Sequence, residues 1–291
     1  VVIGVAAVAC YDIDPEKPDR TAALPTIDPT ATVDRRATLA DDVEIGPGCH
    51  VEGCVTIGAG TRLAARVVLK GPLVLGRNNI LYPNVCLGLE PQDRKFDPSK
   101  DGSGVVIGDD NIFREGVTIH RATGERPTTV GHRNYLMVNS HLGHDTLVGD
   151  DCTLANGAMV GGHGQIGDRV TLGGTAGIHQ FCRVGRLGMV SGVIAITQDL
   201  PPFCVAYSMR SVSSLNIVGL RRAGYRKHIA PLKKAFDIFF RRQLGNRSAL
   251  KRIEAELGDD PLCMEFARFI AESKRGICRY RNSDGDAAEV F

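Results

Sequence analysis

The sequence contains no tryptophan and only 5% aromatic residues, although 43% of its 291 residues are hydrophobic. A conventional core draws on bulky rings for much of its buried area. Their scarcity argues against one thick core and for many small, similar packing layers. The nine cysteines are scattered and contain no C-x-x-C pair. That excludes a disulfide frame or a zinc-knuckle site and reads as reduced thiols in the cytoplasm. No apolar run reaches the length of a membrane-spanning helix. Thirty-five basic residues against thirty-three acidic ones leave a net charge of +2, too balanced overall for a nucleic-acid binder. At 23% charged the chain is not a disordered polyampholyte either. The first ten residues, VVIGVAAVAC, are apolar but lack a basic leader. They read as an extra strand or a start-site artefact rather than a lipoprotein signal ending at Cys10. What is abundant is glycine: 34 residues, about 12% against a usual value of roughly 7%.

The glycines belong to a repeat. Written in sixes from Ile27, the chain opens successive hexads with an aliphatic residue through Leu87. The pattern resumes at Ile107, Phe113 and Ile119, and again from Val130 to Ile196. Twenty-five of 26 hexads open on an aliphatic residue, and Gly follows in twelve, as in Ile57-Gly58 and Val148-Gly149. A six-residue period implies a parallel β-helix of triangular section, with one hexad to a side and three hexads to a coil. The aliphatic residue points inward, and a small residue eases the corner. The period alone leaves the handedness open. Resemblance to the hexapeptide-repeat acyltransferases implies a left-handed β-helix, against the usual crossover rule.

Domain boundaries follow from where the repeat breaks. Residues 1–23 form an N-terminal extension, and 24–202 the β-helix, which ends near Pro201-Pro202. Residues 93–106 (DRKFDPSKDGSGVV) and 125–129 (ERPTT) are insertions expected to leave the wall as loops. Residues 203–281 form a C-terminal helical domain, with apolar residues recurring at three and four from about Gly219. Gly245 and Gly258 stand where helix ends are expected. Residues 282–291 are a tail.

Coil arithmetic also places histidines. His163 lies one coil and one residue beyond His144, and His179 falls one residue short of two coils beyond it. His120 precedes His144 by one coil and one residue once the second insertion is set aside. All four therefore fall within about one residue of a single vertical line, spanning roughly 14 Å. His141 sits on the preceding hexad. A lone histidine is most often structural; four in register on an edge are not well explained that way. Two chemistries fit: metal binding by three imidazoles, as in a γ-type carbonic anhydrase, or general-base catalysis. The adjacent pair His144-Asp145 favours the second, because the carboxylate can fix the imidazole tautomer and stabilise its cation. A non-catalytic solenoid scaffold is the bland alternative.

Three motifs in order, NSHLGHDTLVGD, LANGAMVGGH and GGTAGIHQFCRVG, resemble the acyl-[acyl-carrier-protein]–UDP-N-acetylglucosamine O-acyltransferase family. The resemblance runs from about Leu24 to Arg279. It implies transfer of an (R)-3-hydroxyacyl chain to the sugar 3-hydroxyl, the first step of lipid A biosynthesis, with no cofactor or metal. His144 would be the general base, Asp145 its orienting partner, and Gly162 the backbone donor to the thioester oxyanion. The substrate-binding positions implied are Asp93, Lys95, His141, His163, His179, Gln180, Asn216 and Arg222. Gly192 stands at the acyl-chain ruler, where a glycine implies a long chain. Val218 and Ala223 replace family contacts to the uridine, and Met209 replaces a histidine near the acyl donor. A 3-amino sugar nucleotide, or another sugar nucleotide, is the alternative acceptor.

Charge distribution points to a partner. Residues 219–281 carry 16 Lys or Arg against 7 Asp or Glu, a net of +9, which leaves −7 for the remainder. A basic helical domain suits an acidic acyl carrier protein. The resemblance further implies a homotrimer with sites between subunits, the first insertion loop coming from a neighbour, and a cytoplasmic location.

Overall fold

A computed structural model describes residues 24–281; the predicted N-terminal extension and tail lie outside the described residues. The chain is a left-handed parallel β-helix followed by a helical domain. Its strands are two to four residues long and form three walls in which every third strand is a neighbour. The first wall runs from Thr26–Ile27 to Ser214–Leu215 and the second from Thr32–Val33 to Ala195–Ile196. The third runs from Thr38–Leu39 to Arg183–Val184.

Register confirms the three-hexad coil. Thr153 pairs with Thr171 and Thr171 with Met189, each partner three hexads further on. Where the insertions fall, the separation grows by their length. Leu73 pairs with Val105 across the first insertion, and Thr118 with His141 across the second. The wall resumes at Val105 and at Thr128, in each case just inside the expected end of the insertion. It also outlasts the last hexad. Cys204–Ala206 pairs in parallel with Met189–Val190, and Ser214–Leu215 then turns back antiparallel.

The interior is the column of hexad-opening residues. Leu81, Leu87, Phe113, Ile119, Leu136, Leu142, Leu154, Val160 and Leu172 are all fully buried. Phe113, the one aromatic opener, fits without displacing the register of its neighbours Leu81 and Leu136. The first coil is different: Ile27 is 42% exposed, because no described coil stacks beneath it.

The glycines have a different reason from the one expected. The corner is turned at the fourth hexad position, which takes positive φ in Asn84, Asn139, Asp145, His163, Phe181 and Val193. None of these six is glycine, so a turn hydrogen-bonded to adjacent coils supports a conformation that side chains ordinarily avoid. Glycine at the second position answers to stacking instead. A Cβ on Gly58 would lie 2.7 Å from the backbone of Gly76, and one on Gly46 2.8 Å from the Ala64 carbonyl oxygen.

The C-terminal part contains α1 (Ile217–Arg222), a 3₁₀ turn at Arg226–His228, α2 (Ile229–Phe240), α3 (Asn246–Leu257) and α4 (Pro261–Ala271). Gly258 caps the end of α3, whereas Gly245 caps its start. The helices pack through Leu232, Phe236, Ile253 and Phe266 and are fastened to the last coils by polar contacts. Arg186 donates to Glu265 at 2.6 and 3.0 Å, and Arg183 to the Phe269 carbonyl at 2.8 Å. Among the described residues no helix is long and apolar enough to cross a membrane.

Candidate active site

The corner between the second and third walls gathers the predicted histidines. Chain direction there runs from the strand His141–Leu142, through Gly143-His144-Asp145-Thr146, to the strand Leu147–Val148. Asp145 takes the positive-φ corner position, φ 60°, which turns its carboxylate back toward the imidazole of the preceding residue. His144 Nδ1 and Asp145 Oδ2 are 2.7 Å apart, with side chains only 16% and 9% exposed. Thr123, on the coil before, donates its hydroxyl to the same carboxylate at 2.7 Å. The Thr123 and Gly124 backbone N–H groups also donate to it at 3.1 to 3.2 Å. Burial pushes the Asp145 pKa up, but the bonds from Thr123, His144 and Gly124 outweigh it and hold the group below the usual carboxylate range. Asp145 is thus an anion with its lone pairs engaged, held against one nitrogen of His144.

The other nitrogen, Nε2, faces the backbone of Gly162 on the next coil. A Cβ there would sit 2.7 Å from Nε2, so only a residue without a side chain leaves the ring its place. Among the described residues the Gly162 N–H has no acceptor.

The other histidines occupy neighbouring columns rather than one line. Ile119 pairs with Leu142, Leu142 with Val160 and Val160 with Ile178. His120 and His179, each next in chain, therefore share a column interrupted by Gly143 and Gly161. His144, Gly162 and Gln180 form the second column, and Asp145, His163 and Phe181 the third. An offset of one residue per coil moves a side chain to the adjacent column of the turn, so His163 stacks under Asp145, 18 residues before it, and not under His144. His163 packs edge-on to His144, with centroids 5.2 Å apart, and its Nε2 is 3.7 Å from Asp145 Oδ2. His141 faces out from the second wall beside His120, 5.4 Å between centroids, and bonds Thr118 Oγ1 at 2.8 Å. Burial, with nearby His120 and His144, depresses its pKa to about 4. It is neutral at pH 7. His179 and Gln180 are exposed.

His144, Asp145 and His163 also offer ligand atoms within 4.8 Å of one another, the closest approach to a metal-binding set among the described residues. In this arrangement Asp145 Oδ2 already accepts from Thr123 and lies against His144, so the carboxylate is committed to its neighbours.

Asp93 and Lys95 lie in the first insertion and line a cleft of about 310 Å³ with Phe96, Asp97, Lys100 and Thr123. Thr123 is also the donor to Asp145, so the loop of a chain adjoins that chain's own His144 corner. Asn216 and Arg222 lie elsewhere. Asn216 caps α1, accepting from Gly219 N at 2.8 Å and donating to the Leu187 carbonyl at 2.9 Å. Leu187 belongs to the corner between the third and first walls, not the histidine corner. Arg222 is exposed at the end of α1. Gly192 is on the remaining corner, between the first and second walls; a Cβ there would meet the Gly174 carbonyl at 3.0 Å. Met209 and Val218 are 59% and 56% exposed.

Sequence reasoning missed four participants. Thr123 and Thr128 hold Asp145, Phe181 stacks on His163 at 4.4 Å, and Arg275 reaches His179 Nδ1 at 3.4 Å from beyond α4. Phe181 was findable by coil counting, since it stands one full coil after His163. Arg275 was not, since nothing periodic links it to the repeat.

Comparison with known proteins places this geometry. Residues 199–278 match a family model described as UDP-N-acetylglucosamine O-acyltransferase, domain 2, and 36–71 match the bacterial transferase hexapeptide repeat. An acyl-[acyl-carrier-protein]–UDP-N-acetylglucosamine O-acyltransferase of Anaeromyxobacter sp. (strain Fw109-5) is 40% identical over 215 residues, covering 72% of this chain and 83% of that protein. Its counterpart in Anaeromyxobacter sp. (strain K) is 38% identical over 257 residues, covering 87% and 99%. The crystal structure of the UDP-N-acetylglucosamine O-acyltransferase from Moraxella catarrhalis superposes with a TM-score of 0.82 at 36% identity, again over 87% and 99%.

Proposed function

The chain belongs to the acyl-[acyl-carrier-protein]–UDP-N-acetylglucosamine O-acyltransferase family, and from that premise we propose how its own residues carry out the transfer. The protein moves an (R)-3-hydroxyacyl group from acyl carrier protein to the 3-hydroxyl of UDP-N-acetylglucosamine, opening lipid A biosynthesis. His144 Nε2 removes the hydroxyl proton as the oxygen attacks the thioester carbonyl. Asp145 keeps Nδ1 protonated and stabilises the imidazolium that results. The Gly162 N–H, which has no acceptor among the described residues, stabilises the oxyanion. As the tetrahedral intermediate collapses, the carbon–sulfur bond breaks, and the imidazolium returns the proton to the departing thiolate. The observation that carries this reading is the divided imidazole: Nδ1 bound to a half-buried carboxylate, Nε2 against Gly162, whose N–H has no acceptor among the described residues.

Asp93, Lys95, His141, His163, His179 and Gln180 surround the acceptor. Gly177 and Ala195 continue the His141 column on the second wall, with Met159 between, half exposed. This gives a small-residue, apolar path from the histidine corner toward Gly192, suited to a long acyl chain. Asn216 and Arg222 stand at another corner of the prism and reach a nucleotide only across a subunit boundary. That supports a homotrimer with shared sites. The basic helical domain docks the carrier protein, and the reaction takes place in the cytoplasm.

The test is to incubate the protein with UDP-N-acetylglucosamine and 3-hydroxyacyl carrier proteins of several chain lengths, and to identify products by mass. An O-acylated sugar nucleotide is expected. No product at any length refutes the reading. Light scattering should give three times the chain mass; a fully active monomer refutes the shared site.

A further inference from the structure

We infer that Arg121 is the positioning residue that holds the first insertion loop, and with it Asp93 and Lys95, in place for the acceptor. The inference rests on the reading above, in which that loop contacts the sugar nucleotide. Arg121 is a large fully buried side chain, 2% exposed. It follows His120 and precedes the Ala122–Gly124 segment that donates to Asp145. A guanidinium is rarely buried unless every donor is used. Here Nε has no partner, so the side chain is not at its best as a stabilising group.

What it touches explains the location. Nη1 donates to the Gly88 carbonyl at 3.2 Å, at the irregularity where the second wall opens into the loop. Nη2 donates to the Lys100 carbonyl at 3.2 Å, on the returning arm, and lies 3.5 Å from Glu90 Oε1 at the root. The guanidinium carbon stands 5.7 Å from the Phe96 ring at the cleft wall. One planar, pre-shaped cation thus joins the departing arm, the returning arm and the aromatic lining of the loop. Lysine, a point charge on a flexible stem, cannot span those sites together. Glu90 is itself fixed by Lys70 Nζ at 2.8 Å, and its carbonyl accepts from His120 Nδ1. The loop is therefore tied into both the second wall and the histidine corner.

The experiment compares Arg121→Lys and Glu90→Gln with the unaltered protein, measuring kcat and KM separately for the sugar nucleotide and for acyl carrier protein. Unaltered protein that forms no product would sink the underlying reading; the variants judge the inference alone. Arg121→Lys is expected to raise the sugar-nucleotide KM about tenfold or more, with the acyl-carrier-protein KM and the pH–rate profile unchanged. Glu90 is 35% exposed, so Glu90→Gln tests the same anchor in a protein that folds, and should raise that KM roughly threefold. A merely structural role would lower thermal stability and active fraction while leaving KM alone. If Arg121→Lys does not fold, Glu90→Gln decides. An unchanged sugar-nucleotide KM in Glu90→Gln, or equal rises for both substrates, overturns the inference.

Discussion

Replacing Gly162 by alanine separates catalysis from stability, and the structure sets its size. The substituted Cβ would lie 2.7 Å from His144 Nε2, 2.8 Å from Cε1 and 3.3 Å from Cδ2. Ordinary non-bonded separations are roughly 3.5 to 4.0 Å, so ring and methyl must part by about 1 Å. Backbone strain contributes nothing, since Gly162 is not among the positive-φ residues. The imidazole is the side that yields, being an end group on a rotatable bond, and it yields away from the acceptor and off the Asp145 bond. A displacement of about 1 Å in a reacting group costs on the order of 100-fold in rate, or roughly 2.7 kcal/mol in activation free energy. The Gly162 N–H survives in alanine, so the loss would report on His144 and not on the oxyanion donor. Gly161→Ala is the control: its Cβ meets the Gln180 backbone nitrogen at 2.8 Å, in the next coil, where nothing can rotate away. That variant should lose melting temperature first. The assay is steady-state kcat on folded protein, with thermal melts of both variants beside it. Gly162→Ala retaining activity within about threefold of the unaltered protein would refute the placement of His144 as base.

Four other outcomes are expected. His144→Ala should lower kcat by about a thousandfold while binding of the sugar nucleotide, followed by calorimetry, persists. Asp145→Asn should cost about a hundredfold or more, because an amide cannot hold the His144 tautomer or offset its charge. Thermal stability should fall as pH drops from about 6.5 toward 4, because burial keeps His141 neutral in the fold while the unfolded chain takes up the proton earlier. His141→Gln should flatten that stretch of the melting curve against pH. Among the described cysteines only Cys54 is exposed, and burial pushes Cys152, Cys263 and Cys278 up to about 12. A thiol reagent followed by peptide mapping should therefore label Cys54 well before those three in native protein.

The repeat and the site differ in how far they could be read in advance. The inward positions, the coil length and the added residues at both breaks come from one local rule, repeated. Each hexad has the same two neighbours above and below, so a short-range pattern is also the long-range one. The pair His144-Asp145 was legible because its members adjoin in chain. So were the columns, at 18-residue spacing: His163 and Phe181 follow Asp145, while Gly162 and Gln180 follow His144. Which corner position turns back was not. The role of glycine was misjudged for the same reason. A small residue at the second position looks like corner geometry in one hexad, but it answers to the coil stacked above.

By itself, then, the sequence determined the prism: period, coil, aliphatic interior and the wall that bears the histidines. The charge split between residues 219–281 at +9 and the rest of the chain at −7 is likewise a matter of counting. Tertiary structure alone decided what has no period. It closed Thr123 onto Asp145 across a coil, brought Arg275 to His179, buried Arg121 beneath the insertion loop, and set Asn216 at a corner away from His144. These contacts depend on the angle at which side chains leave a turn and on the route of loops between coils. Neither quantity is encoded in residue spacing.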